Sequence, residues 1–422
     1  MSFRAAAGVV LLLPVTLVAD EPAKGLFQTV RQTLRRGRLR AALRYRYESF
    51  DREGPALPHA SRASTLRLAL AYETTSAYGF SGFAELESVL GLGALDYSVP
   101  TVPSRNKQGY PAILDPPGAD LNQAYLKWKR EQDRWNFSIK AGRQEIMLND
   151  GRFVSTSSWR QNHQSFDAAR FEAGRGESLT FSYAFLDRFH RVVGHGASDG
   201  RPKMNSHLLD LAWKRTGRVN VSIYSLLVDY QDPAQSALST STIGARASGP
   251  YVLNRHWSIL YAAELARQRN SGRNPNHVNA GYSLGELGAT YKNMGITAGY
   301  SLLGGKSATN KLSTPLAHPL NGWTELFAAN PSVGAGHGLE ARYVSATGPF
   351  PGAGGLMFTA TYYDYHSDSS RLHYGREMDL ALACKLKRTR DRWEIGWRFG
   401  RYWADRLYTG ALRTSVYTSV SF

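Results

Sequence analysis

The chain has 422 residues, among them 40 Gly, 23 Tyr, 17 Phe and 9 Trp, yet apolar residues reach only 42% and the mean hydropathy is −0.37. No run of about 20 apolar residues follows the N-terminus, which excludes a polytopic helical membrane protein, and 12% aromatics exclude a solvated, disordered chain. Cys384 is the single cysteine, so no intrachain disulfide framework or cysteine-rich zinc site can form, and 51 Lys plus Arg against 34 Asp plus Glu leave a charge of +17 that asks for an anionic partner: nucleic acid, a lipid or lipopolysaccharide surface, or an acidic solute.

Arg4 is followed by an apolar stretch from Ala5 to Ala19, broken only by Pro14 and Thr16, and the chain turns polar at Asp20 and Glu21. The stretch is too short to span a bilayer and has the make-up of a secretory signal peptide, with cleavage expected after Ala19. Export argues against a nucleic-acid partner. Residues 20–37 are expected as a periplasmic N-terminal segment, with no amphipathic helix of three or more turns anywhere in the mature chain.

From residue 38 to 422 the governing period is two. Leu39, Ala41, Leu43, Tyr45 and Tyr47 alternate with Arg38, Arg40, Ala42, Arg44 and Arg46, and Trp393, Ile395, Trp397 and Phe399 alternate with Arg392, Glu394, Gly396 and Arg398. One face of each strand is greasy and the other charged. Runs of this kind predict about eighteen strands, an even number that suits a closed antiparallel barrel. Turns near 76–77, 131–133, 174–176, 216–217, 292–293 and 389–391 are short. The connections near 51–61, 91–120, 147–164, 188–203 and 305–335 are long. Short turns on one side and long loops on the other predict an all-β transmembrane antiparallel barrel in the outer membrane of a Gram-negative type cell, its short turns and both termini periplasmic and its long loops extracellular. Aromatics on the greasy parity, such as Trp128, Trp135, Trp213, Trp257 and Trp403, fall near strand ends, where interfacial girdles lie. The last strand ends on Phe422, a terminus of the kind read by the barrel-assembly machinery.

If the greasy parity meets lipid, the other lines a water-filled lumen. Seventeen basic and ten acidic residues fall on that parity, an excess of about +7 expected to concentrate anions. Arg44, Arg46, Arg67, Lys127, Lys140, Arg342 and Arg398 are candidates for contact with the solute. Pairing across strands is the competing role, as for Glu340 with Arg342 and Arg170 with Glu172, and lipopolysaccharide contact at the rim competes for the Arg38 to Arg46 run.

Two loop segments carry more specific information: Gly142-Arg143-Gln144-Glu145 through Arg152-Phe153 to Trp159-Arg160-Gln161-Asn162-His163-Gln164-Ser165-Phe166-Asp167, and Thr314-Pro315-Leu316-Ala317-His318-Pro319-Leu320-Asn321-Gly322-Trp323. Here the chain resembles the alginate-export family of outer-membrane barrels, from about residue 38 to Phe422. The resemblance implies an 18-stranded monomeric barrel, electropositive inside and partly covered by an infolded loop. It places Arg143, Arg152, Arg160, Asp167 and Arg170 within a constriction where guanidinium groups held by counter-charges clamp carboxylates. Trp159, Gln164 and Phe166 fit loop packing better than ligand contact. Thr324-Glu325 follows Trp323 where the family has a small residue and then Asp, and several loops are short for exporting a long polyuronate.

Enzyme readings find little support. Gly304-Gly305-Lys306-Ser307 has Tyr300 where a phosphate-binding loop needs its first glycine, and the histidines form no HExxH pattern. The expectation is a channel without cofactor or metal, passing an acidic polysaccharide such as alginate or smaller uronate-type anions. A general organic-acid uptake porin is the alternative, and an outer-membrane hydrolase a more distant one.

Overall fold

The computed structural model describes residues 22–317, 321–327, 336–388 and 391–422. The segment expected to be a signal peptide lies outside them. Alternation becomes a wall: β1 (Arg38–Arg52), β2 (Ser61–Glu73), β3 (Phe80–Asp96), β4 (Gly118–Gln132), β5 (Trp135–Gln144) and β6 (Ser165–Arg175) run antiparallel in sequence order. They continue through β7 (Leu179–His190), β8 (Lys203–Arg215), β9 (Val219–Val228), β10 (Thr240–Val252), β11 (Trp257–Asn270), β12 (Asn279–Tyr291) and β13 (Met294–Leu303). Two short strands, β14 (Gly305–Ser307) and β15 (Asn310–Lys311), form a hairpin of their own. The wall resumes with β16 (Leu339–Pro349), β17 (Leu356–His366), β18 (His373–Arg388), β19 (Asp391–Ala404) and β20 (Ala411–Ser421). β13 pairs with β16, and β20 pairs back onto β1 from Ala42↔Ser421 to Arg52↔Ala411, which closes an 18-stranded barrel with no free edge.

Connection lengths alternate as expected. Residues 133–134, 176–178, 216–218 and 292–293 are tight turns, whereas 97–117, 145–164, 191–202 and 304–338 are long loops at the other end. Leu39, Leu126, Ile139, Leu265, Leu287 and Ile395 stand 45–69% exposed on the outside, as lipid-facing residues do. The chain is an outer-membrane barrel. Its best-buried residues are not a sheet-to-sheet core: Val99, Ile113, Val154, Phe166, Leu312 and Leu339, all 0% exposed, lie where the long loops fold down into the barrel mouth.

Two expectations are corrected. A helix, α1 (Pro22–Arg35), precedes the wall, where no helix of this length was anticipated. Leu26, Val30 and Leu34 repeat every four residues, a narrow stripe that strand-period reading passes over. Its last turn is held by the β2–β3 connection, with the Thr75 backbone N–H donating to the Thr33 carbonyl at 3.4 Å and the Tyr72 hydroxyl to the Leu34 carbonyl. β3 also runs on to Asp96 rather than ending at Gly91, through a register shift opposite Ala63 and Thr65.

Candidate functional site

Two loops meet inside the barrel. Val154 of the 145–164 loop bridges Leu316 of the 304–338 loop in parallel, the Ser155 N–H donates to the Leu316 carbonyl at 3.2 Å, and Arg152 Nη1 donates to Asn321 Oδ1 at 2.6 Å. The second loop is pinned to β18: the Trp323 N–H donates to Asp379 at 3.0 Å, and the Thr324 N–H and hydroxyl donate to Glu377 at 2.8 and 2.6 Å. Gly322 makes this approach possible, because its φ is +85° and a Cβ would sit 2.5 Å from Glu377 Oε1. His318 of the second motif lies outside the described residues.

At the junction of both loops with the barrel seam lies a closed ring of alternating charge. Arg46 pairs with Glu48 (3.2 Å) and Asp115, Asp115 with Arg160 (3.3 Å), Arg160 with Glu325, Glu325 with Arg413 (3.0 Å), and Arg413 with Glu48. None of these side chains is more than 6% exposed. Three guanidinium and three carboxylate groups leave no net charge, and each ion has a partner on both sides, the condition under which buried charge is tolerated. Burial lowers the Arg160 pKa to about 10 against the pull of Asp115, so it stays charged at neutral pH.

Arg44 also serves the loop: Nε donates to Gln161 Oε1 at 2.9 Å and Nη1 to the Ser158 carbonyl at 2.8 Å. Arg67 is spent on Glu87, its Nε at 3.0 Å from Oε1. Arg398 stacks between Trp159 (3.7 Å) and Trp323 (5.0 Å), one indole from each loop.

Beside the loops is a cavity of about 650 Å³ lined by Arg152, Arg246, Glu286, Asn321, Tyr343 and Tyr363 among others. Arg246 bonds Glu264 at 2.7 Å and reaches Asp150 at 3.2 Å. Burial works against the Arg152 charge, but Tyr282 and Asp150 outweigh it and its pKa lies above the ordinary value. Tyr343 donates to Glu286 at 2.5 Å, and its ring lies 5.3 Å from that of Tyr363. Arg246 and these tyrosines were not singled out from the sequence.

Toward the tight-turn end the balance changes. Lys127 and Lys140 face each other across β4 and β5, with Lys140 Nζ 4.4 Å from the Tyr125 ring. Lys129, Lys214, Lys385, Arg38, Arg40, Arg170 and Arg392 share the inward parity, against Glu73, Glu172, Asp210 and Glu394 among the described residues. Arg170 is paired with Glu172 at 2.7 Å.

Four expected lumen residues, Arg143, Asp167, Glu340 and Arg342, face the other way. The unbroken β5 register gives Arg143 the parity of lipid-facing Ile139, opposite to Lys140, and Asp167 is its cross-strand partner at 2.8 Å. Arg342 shares the outward parity of Val344, because Ala341, Tyr343 and Ser345 line the cavity, and it pairs with Glu340 at the rim. The inward excess of about +7 is corrected accordingly: Glu340 and Arg342 leave the count, Arg246 and Glu286 enter it, and the loops bring Arg152 and Arg160 inside together with Asp115, Asp150 and Glu325.

Residues 99–306 match the alginate-export family. No curated protein matches the chain. Among solved structures it is similar to OccK9 (OpdG) of Pseudomonas aeruginosa, with a TM-score of 0.69, 16% identity, and coverage of 92% of this chain and 99% of that one. It is also similar to OccAB4 of Acinetobacter baumannii (TM-score 0.69, 11% identity, 92% and 98% covered) and to Pseudomonas aeruginosa OpdK solved with vanillate (0.66, 12%, 92% and 99%). These likenesses concern the fold. With the family match over part of the chain they support an outer-membrane channel.

Proposed function

We propose that the channel passes small carboxylate-bearing anions of the uronate type, with anion preference set at the periplasmic end of the lumen. The observation that carries this reading is the face-to-face placement of Lys127 and Lys140, with Lys129 on the same face and no ion pair to Lys127 or Lys140 among the described residues. Both side chains are only half-buried, and the low-dielectric wall focuses the potential of their ammonium groups. Arg152 and Tyr363, both lining the 650 Å³ cavity, then offer a carboxylate one charged and one polar partner, while the Tyr343 hydroxyl is held by Glu286.

Export of a long acidic polysaccharide such as alginate is the second reading, favoured by the family matched over residues 99–306. The two cross-tied loops weigh against it, since a polymer needs a continuous open path. Lipopolysaccharide at the rim, barrel assembly through Phe422 and a monomeric state belong to the proposal. Phe422 fits the assembly role in that its N–H donates to the Ala41 carbonyl at 2.9 Å, which ties the terminus into the closing seam.

Proteoliposomes separate the two readings. Glucuronate is expected to enter faster than glucose or a cationic sugar of equal size, with alginate oligomers excluded. Equal entry of the three small solutes would refute anion preference, and passage of long oligomers would favour the polysaccharide reading.

A further inference from the structure

Asp364 and His366 stand two apart near the extracellular end of β17, on the outward face with Tyr362 and opposite Tyr365, which packs inward at 0% exposure. The partner strand breaks register at this point. Tyr365 pairs with Gly375 but His366 pairs with His373, so Tyr374 is the extra residue of a bulge and turns inward, 1% exposed. The bulge brings His373 onto the outer face beside the other two. His366 Nε2 lies 2.9 Å from Asp364 Oδ2, His373 Nε2 lies 2.8 Å from Asp364 Oδ1, and the imidazole centroids are 4.9 Å apart. The three donors fit within 4.8 Å of one another.

We propose that Asp364, His366 and His373 form a transition-metal site for an ion of the Zn²⁺ class on the outer rim of the barrel. Two imidazoles and one carboxylate are the donor set such an ion prefers, whereas Mg²⁺ and Ca²⁺ demand oxygen. Tetrahedral bonds of about 2.0–2.1 Å place neighbouring donors roughly 3.4 Å apart, so each imidazole–carboxylate contact needs to open by about half an ångström while the two imidazole donors stay within the 4.8 Å that holds the group. A carboxylate behind the ligands completes the pattern. His373 Nδ1 lies 2.9 Å from Asp405 Oδ2, in the connection after β19, and this hydrogen bond orients the ring with its Nε2 lone pair toward the centre. Arg376 Nε, 3.6 Å from Asp364 Oδ1, is the competing cation. Its side chain is 59% exposed and free to move outward. Three protein ligands leave one position open toward the exterior.

The test uses the full-length protein in detergent, without a polyhistidine tag, stripped with chelator and titrated with Co²⁺ as the visible-absorbing probe and with Zn²⁺ as competitor. The expected result is one saturable equivalent with tetrahedral Co²⁺ bands that Zn²⁺ bleaches. His366→Gln and His373→Gln should each abolish the bands, and Asp405→Asn should weaken binding about 10–100-fold. His207→Gln, a residue packed against Tyr183 and Phe185 far from the cluster, should change nothing. Absence of a saturable equivalent in the parent, or an unchanged Co²⁺ spectrum in the His366→Gln and His373→Gln variants, overturns the proposal. Heat-modifiable gel migration reports that each variant still forms its barrel.

Discussion

Arginine and lysine meet two different fates in one lumen. At the seam, Arg46, Arg160 and Arg413 are matched one for one by Glu48, Asp115 and Glu325 and sealed from water, so they fasten loops and contribute no field. At the tight-turn end, Lys127 and Lys140 oppose one another, both only half-buried and with no ion pair to either among the described residues. A tally of inward charge treats both alike. Burial and stoichiometry separate them: paired charge in a dry site fixes geometry, and unpaired charge in a wet one sets the potential.

Breaking the ring should have the largest effect. Glu325→Gln leaves Arg160 and Arg413 short of a counter-charge, and loss of one partner from such a buried set costs about 3–5 kcal/mol. The wall ladder does not depend on it, so the barrel should still form while the 304–338 loop becomes protease-sensitive and single-channel conductance rises. Wild-type conductance and proteolysis would remove the ring from the account. Gly322→Ala attacks the same loop through its backbone, with a non-glycine residue at φ +85° and a Cβ against Glu377. Strain of about 1–3 kcal/mol should loosen docking less completely, read as added current noise with smaller conductance change.

Acid should act more gently and on the first loop. Burial raises the Glu145 pKa, but hydrogen bonding and charge from His163, with help from Asn122, outweigh it, so the folded value is lowered. A lowered carboxyl stabilises the loop above the ordinary carboxylate range, and that contribution is lost as pH falls through the folded value. Channel noise should therefore grow on acidification below the ordinary range in the parent and less in Glu145→Gln, and identical acid profiles would contradict the assignment. The smallest effect belongs to the outer face: Arg342→Ala removes an exposed rim pair worth at most about 1 kcal/mol and should leave ion selectivity unchanged. A shifted selectivity would place Arg342 in the lumen after all.

The wall was legible because alternation is local. The eighteen or so strands expected from period-two runs are met by the eighteen of the wall. The inward parity of Arg44, Arg46, Arg67, Lys127, Lys140 and Arg398 follows from the same signal. Parity failed at Arg342 because Tyr343 and Tyr363, aromatic like the residues of the lipid face, line the cavity instead, and the Tyr343 hydroxyl meets Glu286 there. The ring was not legible, since Glu48 and Arg413 are 365 residues apart and meet only when β20 closes on β1. Asp115 and Glu325 lie in loops, where no period assigns a direction. Arg143 and Asp167 were assigned from a motif, which marks residues that matter without saying which side of the wall they occupy.

The most direct test is the reversal potential across a planar bilayer under a salt gradient centred near 0.1 M, for the parent and for Lys127→Glu with Lys140→Glu. The account predicts that the parent favours anions, that the preference fades toward 1 M salt as the Debye length falls from about 10 Å to about 3 Å, and that the double variant loses or inverts it. A cation-favouring parent, or a double variant with the parent's reversal potential, would contradict it.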